Sequence, residues 1–146
     1  MPREGLTNMT PDDIITAALE CIDTPFMHQG RVVGAGLDCV GVAIHVCKRL
    51  GLEPADVVGY GRTPLNGQLE SALDYQPFVS RITKDEVRPG DMMLMRFLGE
   101  PQHLAIMGHD EVIHAYETVG KCVRHTMNTK WWNRVVHAYR FNEVTV

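Results

Sequence analysis

The hydrophobic residues change their spacing part-way along this chain, and that change limits the folds open to it. In the first half they recur at helical intervals: Ile14, Ala17, Ala18, Cys21 and Ile22, then Val40, Val42, Ala43, Ile44, Val46, Cys47 and Leu50. In the second half they gather into short runs separated by turn residues, as strands do. Helices first and an antiparallel sheet afterwards is an α+β pattern. A length of 146 residues fits one domain, 1–146, and no repeat, low-complexity tract or Pro/Gly/Ser-rich linker divides it.

The first helix is expected to open at Thr10-Pro11-Asp12-Asp13, where Thr10 caps, Pro11 suits the first position and the aspartates favour the positive end. It should stop before Pro25. Residues 24–36 hold a proline and several glycines and read as a loop. A second helix should start at Leu37-Asp38-Cys39 and end at Gly51; it is too apolar for a surface helix and reads as central and buried. Glu53 to Gly67 reads as irregular, and Gln68 to Tyr75 as a short helix. Beyond the turn at 87–91, strands are expected at 92–97, 103–107, 112–116, 121–125 and 134–141. Turns are expected at 99–101 and 108–111.

Composition excludes several classes. The net charge of -4 gives no basic face for a nucleic-acid backbone, so no nucleic-acid partner is expected. No run is long enough to insert in a membrane. Met1 to Gly5 lack the apolar core of a signal peptide, so synthesis in the cytoplasm without a secretory leader is expected. The four cysteines, Cys21, Cys39, Cys47 and Cys122, contain no CxxC pair. They are expected as thiols, with no metal and no cofactor. Cys21, Cys47 and Cys122 read as core residues, and Trp131-Trp132 as packing at the sheet edge.

Cys39 differs from the other three because it follows a glycine-rich loop and opens a buried helix. The N-terminus of a helix carries partial positive charge and unpaired N–H groups, which favour a thiolate and can hold an oxyanion. Asp38 can cap this helix, and Gly41 would let a substrate backbone come close. Local pattern alone leaves two readings open for Cys39, nucleophile or buried packing. A thiol nucleophile needs a base, and seven histidines are available. His103 and His114 stand on the two arms of one expected hairpin, so their rings can meet across the ladder. One would take the thiol proton and the other orient it, unless their placement is coincidence.

Several ordered motifs together carry a family resemblance. Thr24-Pro25-Phe26, Gly36-Leu37-Asp38-Cys39-Val40-Gly41, Arg88-Pro89-Gly90-Asp91, His103-Leu104-Ala105-Ile106 and Ile113-His114-Ala115 fall in the order of the NlpC-type papain-like cell-wall peptidases. Gly99-Glu100-Pro101-Gln102-His103, Trp131-Trp132-Asn133-Arg134-Val135-Val136 and Arg140-Phe141 resemble the branch found in phage tails and gene transfer agents. The resemblance implies a papain-like cysteine peptidase fold, with N-terminal helices packed on an antiparallel sheet. It implies Cys39, His103 and His114 as nucleophile, base and orienting residue. It implies hydrolysis of a peptidoglycan stem-peptide amide, usually that between D-glutamate and diaminopimelate. Tail proteins are then expected partners, and the host cell wall the place of action. Phe26 stands where the family often has tyrosine, whose hydroxyl helps bind substrate in relatives; Val40 stands where serine is common. Two other functions fit the same residues: an amidase or acyltransferase on another small amide, and a structural tail-tip protein with a vestigial site.

Overall fold

In the computed structural model, residues 9–56, 67–97, 99, 101–142 and 144 are described. Helix α1 (Pro11–Leu19) begins in a capping box: the Asp13 N–H donates to Thr10 Oγ1 at 3.2 Å, and the Thr10 N–H to Asp13 Oδ2 at 2.9 Å. A two-strand ribbon follows, β1 (Arg31–Val32) antiparallel to β2 (Gly36–Leu37), and leads into helix α2 (Cys39–Arg49). The expected loop at 24–36 therefore contains a hairpin. Gly34 at φ +86° takes a left-handed conformation within its turn. Helix α2 ends as expected at Gly51, whose φ is +78°. The Leu52 N–H donates to the Cys47 carbonyl and the Gly51 N–H to the Lys48 carbonyl, satisfying two end carbonyls in a Schellman turn.

Helix α3 (Gln68–Tyr75) matches its expected range, and residues 53–56 have no regular structure, as expected. The rest of the expected irregular segment, 57–66, lies outside the described residues, as do Glu100 of the expected turn at 99–101 and the N-terminal 1–8. Six strands then form one antiparallel sheet: β3 (Val79–Ile82), β4 (Met92–Met95), β5 (His103–Met107), β6 (Glu111–Tyr116), β7 (Lys121–Thr126) and β8 (Val135–Phe141). Their order across the sheet is β3-β8-β4-β5-β6-β7. Strand β3, a 3-10 turn at Lys84–Glu86 and the four-residue helix α4 (Thr129–Trp132) were not expected from the sequence.

Strand β4 is apolar without alternation because all four of its residues are buried: it lies between β8 and β5 with both faces covered. One face, with Met92, Leu94, Leu104, Ile106, Ile113, Ala115, Tyr139 and Phe141, packs on α1 and α2. The other, with Met93, Met95, Ala105, Val112 and Val135, packs on Trp131 of α4. Cys21, Cys47 and Cys122 are buried free thiols in the helix-side core, as expected. Two of the sequence motifs meet here. Arg140 donates to both oxygens of the buried Asp91 carboxylate, at 3.0 and 2.8 Å, and so ties the turn before β4 to the end of β8.

Candidate active site

Asp38 builds the start of α2. Its carboxylate accepts the Gly41 N–H at 2.8 Å as the helix cap, the Gln29 N–H at 2.8 Å, and Arg31 Nη1 at 3.0 Å. One buried side chain thus fixes the preceding loop, the ribbon and the helix end together. Cys39 is the first helical residue. The glycine two positions on has a different task from the one expected. A Cβ on Gly41 would lie 2.2 Å from the Gly30 carbonyl oxygen, so the chain's own loop occupies the space reserved for substrate in the sequence reading. Gly30 is as crowded: its Cβ would stand 2.5 Å from the Gly36 carbonyl oxygen. Gly41→Ala is accordingly expected to cost about 3 kcal/mol, since the Gly30 backbone carbonyl cannot yield as a side chain would. Urea unfolding checks this. A loss well under about 1 kcal/mol would mean that the loop is not held against the helix.

The Cys39 sulfur lies near strand β5, close to the Leu104 N–H, and close to the N–H of Val40. His103 immediately precedes Leu104 and opens β5; its ring is buried, at 6% exposure, and His114 on β6 is fully buried. Nε2 of His103 is 2.6 Å from Nδ1 of His114. The two are not opposite each other. Ile106 pairs with Ile113 and Met107 with Val112, and continuing that register puts Ala105 across from His114. The rings meet diagonally over the small Ala105 side chain, a span within reach of aromatic residues. All three expected site residues are therefore gathered at one end of β5.

Burial decides the charge state of the pair. It pushes the Cys39 thiol up to about 12, and the Asp38 carboxylate adds to this; the Leu104 and Val40 N–H groups and Arg31 act the other way. It pushes His103 down to about 3 and His114 down to about 2, with the positive charge of Arg134 acting in the same direction on both. The expectation of a thiol acidified by the helix end is corrected: desolvation outweighs it. Each group alone is neutral at pH 7. A thiolate on Cys39 would need a neighbouring group to take the proton, so that the two new charges attract.

Aromatic rings wall the imidazoles. Phe97 lies 5.0 Å from the His103 ring, Tyr116 is stacked on His114 at 5.1 Å, and Trp131 meets His114 edge-on at 5.0 Å. The expected packing role of Trp131 thus has a specific object. A third imidazole, missed from the sequence, completes the row: Nε2 of His125 on β7 is 2.9 Å from Nε2 of His114. Its signal was present in the spacing. His103, His114 and His125 are each 11 residues apart, in a stretch reading as three consecutive strands.

A cysteine at a helix start, set against a buried histidine pair on a sheet, is a layout that can be compared with known proteins. The sequence model of the NlpC/P60 family matches residues 23–141. The chain belongs to the NlpC/P60 family. Its members are cysteine peptidases and peptidoglycan hydrolases, so this chain is an enzyme of that class. No curated protein sequence matches it. Among solved structures, the NlpC/P60 domain of the peptidoglycan hydrolase SagA is 21% identical with a TM-score of 0.61, over 89% of this chain and 97% of that one. An NlpC/P60 protein from Bacillus cereus is 18% identical with a TM-score of 0.67, over 92% of this chain but 41% of its own. The peptidoglycan hydrolase RipB from Mycobacterium tuberculosis is 15% identical with a TM-score of 0.63, over 96% and 68%. These likenesses establish the papain-like α+β fold expected from the sequence.

Proposed function

We propose that this NlpC/P60 chain hydrolyses the amide between D-glutamate and diaminopimelate in peptidoglycan stem peptides, with Cys39, His103 and His114 as its catalytic triad. The observation that carries the proposal is the His103–His114 contact of 2.6 Å at the strand end against which the Cys39 sulfur rests. His103 takes the thiol proton, and the Cys39 sulfur attacks the amide carbonyl carbon. N–H groups at the start of α2 stabilise the oxyanion. As the C–N bond breaks, His103 returns the proton to the departing amine and leaves a thioester on Cys39. Water, activated by the same ring, then releases the acid and restores the thiol. His114 holds His103 in orientation, as a carboxylate or amide does in other triads.

The setting belongs to the same proposal: incorporation in a phage or phage-like tail, with action on the host wall during DNA delivery. The motifs at 99–103 and 131–136, and Arg140-Phe141, support it by their resemblance to tail-associated relatives. Mass spectrometry of purified peptidoglycan treated with the wild type and with Cys39→Ala tests the chemistry. Fragments cut between D-glutamate and diaminopimelate are expected with the wild type alone. Intact stems in both, across several wall chemistries, would transfer the assignment to another small amide or to a structural tail-tip protein. Peptide mapping of purified particles tests the setting, and absence of the chain from them would point to a free lysis enzyme.

A further inference from the structure

We propose that His125 is a positioning residue that sets the tautomers of His114 and His103, so that Nδ1 of His103 is the unprotonated nitrogen that takes the Cys39 proton. This rests on the triad reading above. Nδ1 of His125 is 3.2 Å from the backbone carbonyl oxygen of Thr126. A carbonyl oxygen only accepts, so Nδ1 of His125 carries the hydrogen and, in the neutral ring, Nε2 is bare. The other end of that ring faces Nε2 of His114 at 2.9 Å. A bare nitrogen requires a donor opposite, so His114 carries its hydrogen on Nε2 and presents a bare Nδ1. That nitrogen in turn faces Nε2 of His103 at 2.6 Å. His103 therefore donates from Nε2 and keeps Nδ1 bare. One backbone carbonyl sets the orientation of three hydrogen bonds in series, and the product is a base with its lone pair on the nitrogen not engaged by His114.

His114 alone would not achieve this. With nothing on its far side its two tautomers compete, and one of them offers an N–H to Nε2 of His103, which forces the proton of His103 onto Nδ1 and disables the base. The surroundings hold the row in place without altering its direction. Trp131 packs on both His114 and His125, at 5.0 and 4.7 Å between ring centres, and Tyr116 stacks on His114. Arg134, whose guanidinium lies over Trp131 and Phe97 at 4.4 and 4.6 Å, and His125 itself both act on His103 and His114.

The test uses His125→Ala and His125→Gln in the full chain. Glutamine can accept from His114 through its carbonyl oxygen and donate to Thr126 through its amide, so it keeps the direction of the row. Long-range proton–nitrogen NMR of the imidazoles is expected to show, in the wild type, hydrogens on Nε2 of His103 and His114 and on Nδ1 of His125. In His125→Ala the first two should become tautomer mixtures. The rate of Cys39 alkylation by iodoacetamide and kcat on stem peptides should then fall about tenfold with KM unchanged, short of the ~10⁴-fold loss seen when a triad histidine is wholly in the wrong tautomer. His125→Gln should restore both rates to within about threefold. Wild-type spectra with the hydrogen on Nδ1 of His114, or unaltered spectra and alkylation in His125→Ala, would overturn the inference. Spectra and alkylation that follow it, with no cleavage of peptidoglycan, would leave it standing and remove the substrate assignment instead.

Discussion

Replacing Cys39 by alanine is expected to abolish hydrolysis, by at least ~10⁴-fold in kcat, while the protein stays folded. In the proposed mechanism the sulfur supplies the bond-forming electron pair, and no other thiol can substitute. Cys21, Cys47 and Cys122 are buried in the core, each with its thiol pushed up to about 12 by burial. Alanine suits the first turn of a helix, and the Asp38 cap is made to Gly41, so α2 should form as before. The stability cost is about 1 kcal/mol, for the contacts of one sulfur. His103→Ala should be as damaging, and the double variant no worse than either, because nucleophile and base act as one unit. Release of stem fragments, measured beside a urea unfolding curve, decides the matter. Activity within tenfold of the wild type in a folded Cys39→Ala protein would end the thiol mechanism.

Stability is expected to fall steeply in mild acid. His103 and His114 are buried neutral, held down to about 3 and about 2 from an ordinary 6.5. The sign follows from which state binds the proton. Below pH 6.5 the unfolded chain takes protons on these rings and the folded chain refuses them, so the stabilisation is complete above 6.5 and is lost as the pH falls towards 3. Each ring approaches a loss of about 1.4 kcal/mol per pH unit once well below 6.5, so the two together lose about 3 kcal/mol between pH 6.5 and 5. That is a large share of the ~5–15 kcal/mol of an ordinary domain. On the alkaline side the thiols act oppositely. Raised from 9.0 to about 12, they make stability decline above pH 9. Urea midpoints between pH 7 and 5 provide the measurement, with His114→Gln expected to show a shallower slope. Equal slopes in the two proteins would mean that the imidazoles charge freely in the folded state.

The parts of this molecule legible in its sequence are those set by local chemistry. The Thr10 cap, the apolar α2, the Gly51 stop, the hairpin carrying His103 and His114 and the place of Cys39 at a helix start are each written in adjacent residues. What could not be read depends on distant partners. Strand β3, two half-buried residues flanking two exposed ones, becomes a strand by pairing with β8. Strand β8 runs between β3 and β4, a long-range choice that no local pattern announces. Gly41 looked like a place for substrate because the Gly30 carbonyl that fills it is remote in sequence. The thiol was misjudged for a reason of magnitude. A helix end favours an anion by at most ~2 kcal/mol, whereas burial, with the Asp38 carboxylate adding to it, pushes the thiol up to about 12.

The diagonal meeting of His103, His114 and His125 links folding to chemistry. Side chains alternate between the two faces of a strand, so a slip of β6 by one residue would turn His114 towards the helices and carry Ile113 to the imidazole side. The row would be broken at its middle, and a polar ring would enter the apolar core without partners. On the proposed triad, a misregistered chain would be both unstable and inert. The apolar pattern that selects the correct pairing therefore also guards against a folded but idle enzyme, without any residue set aside for that purpose.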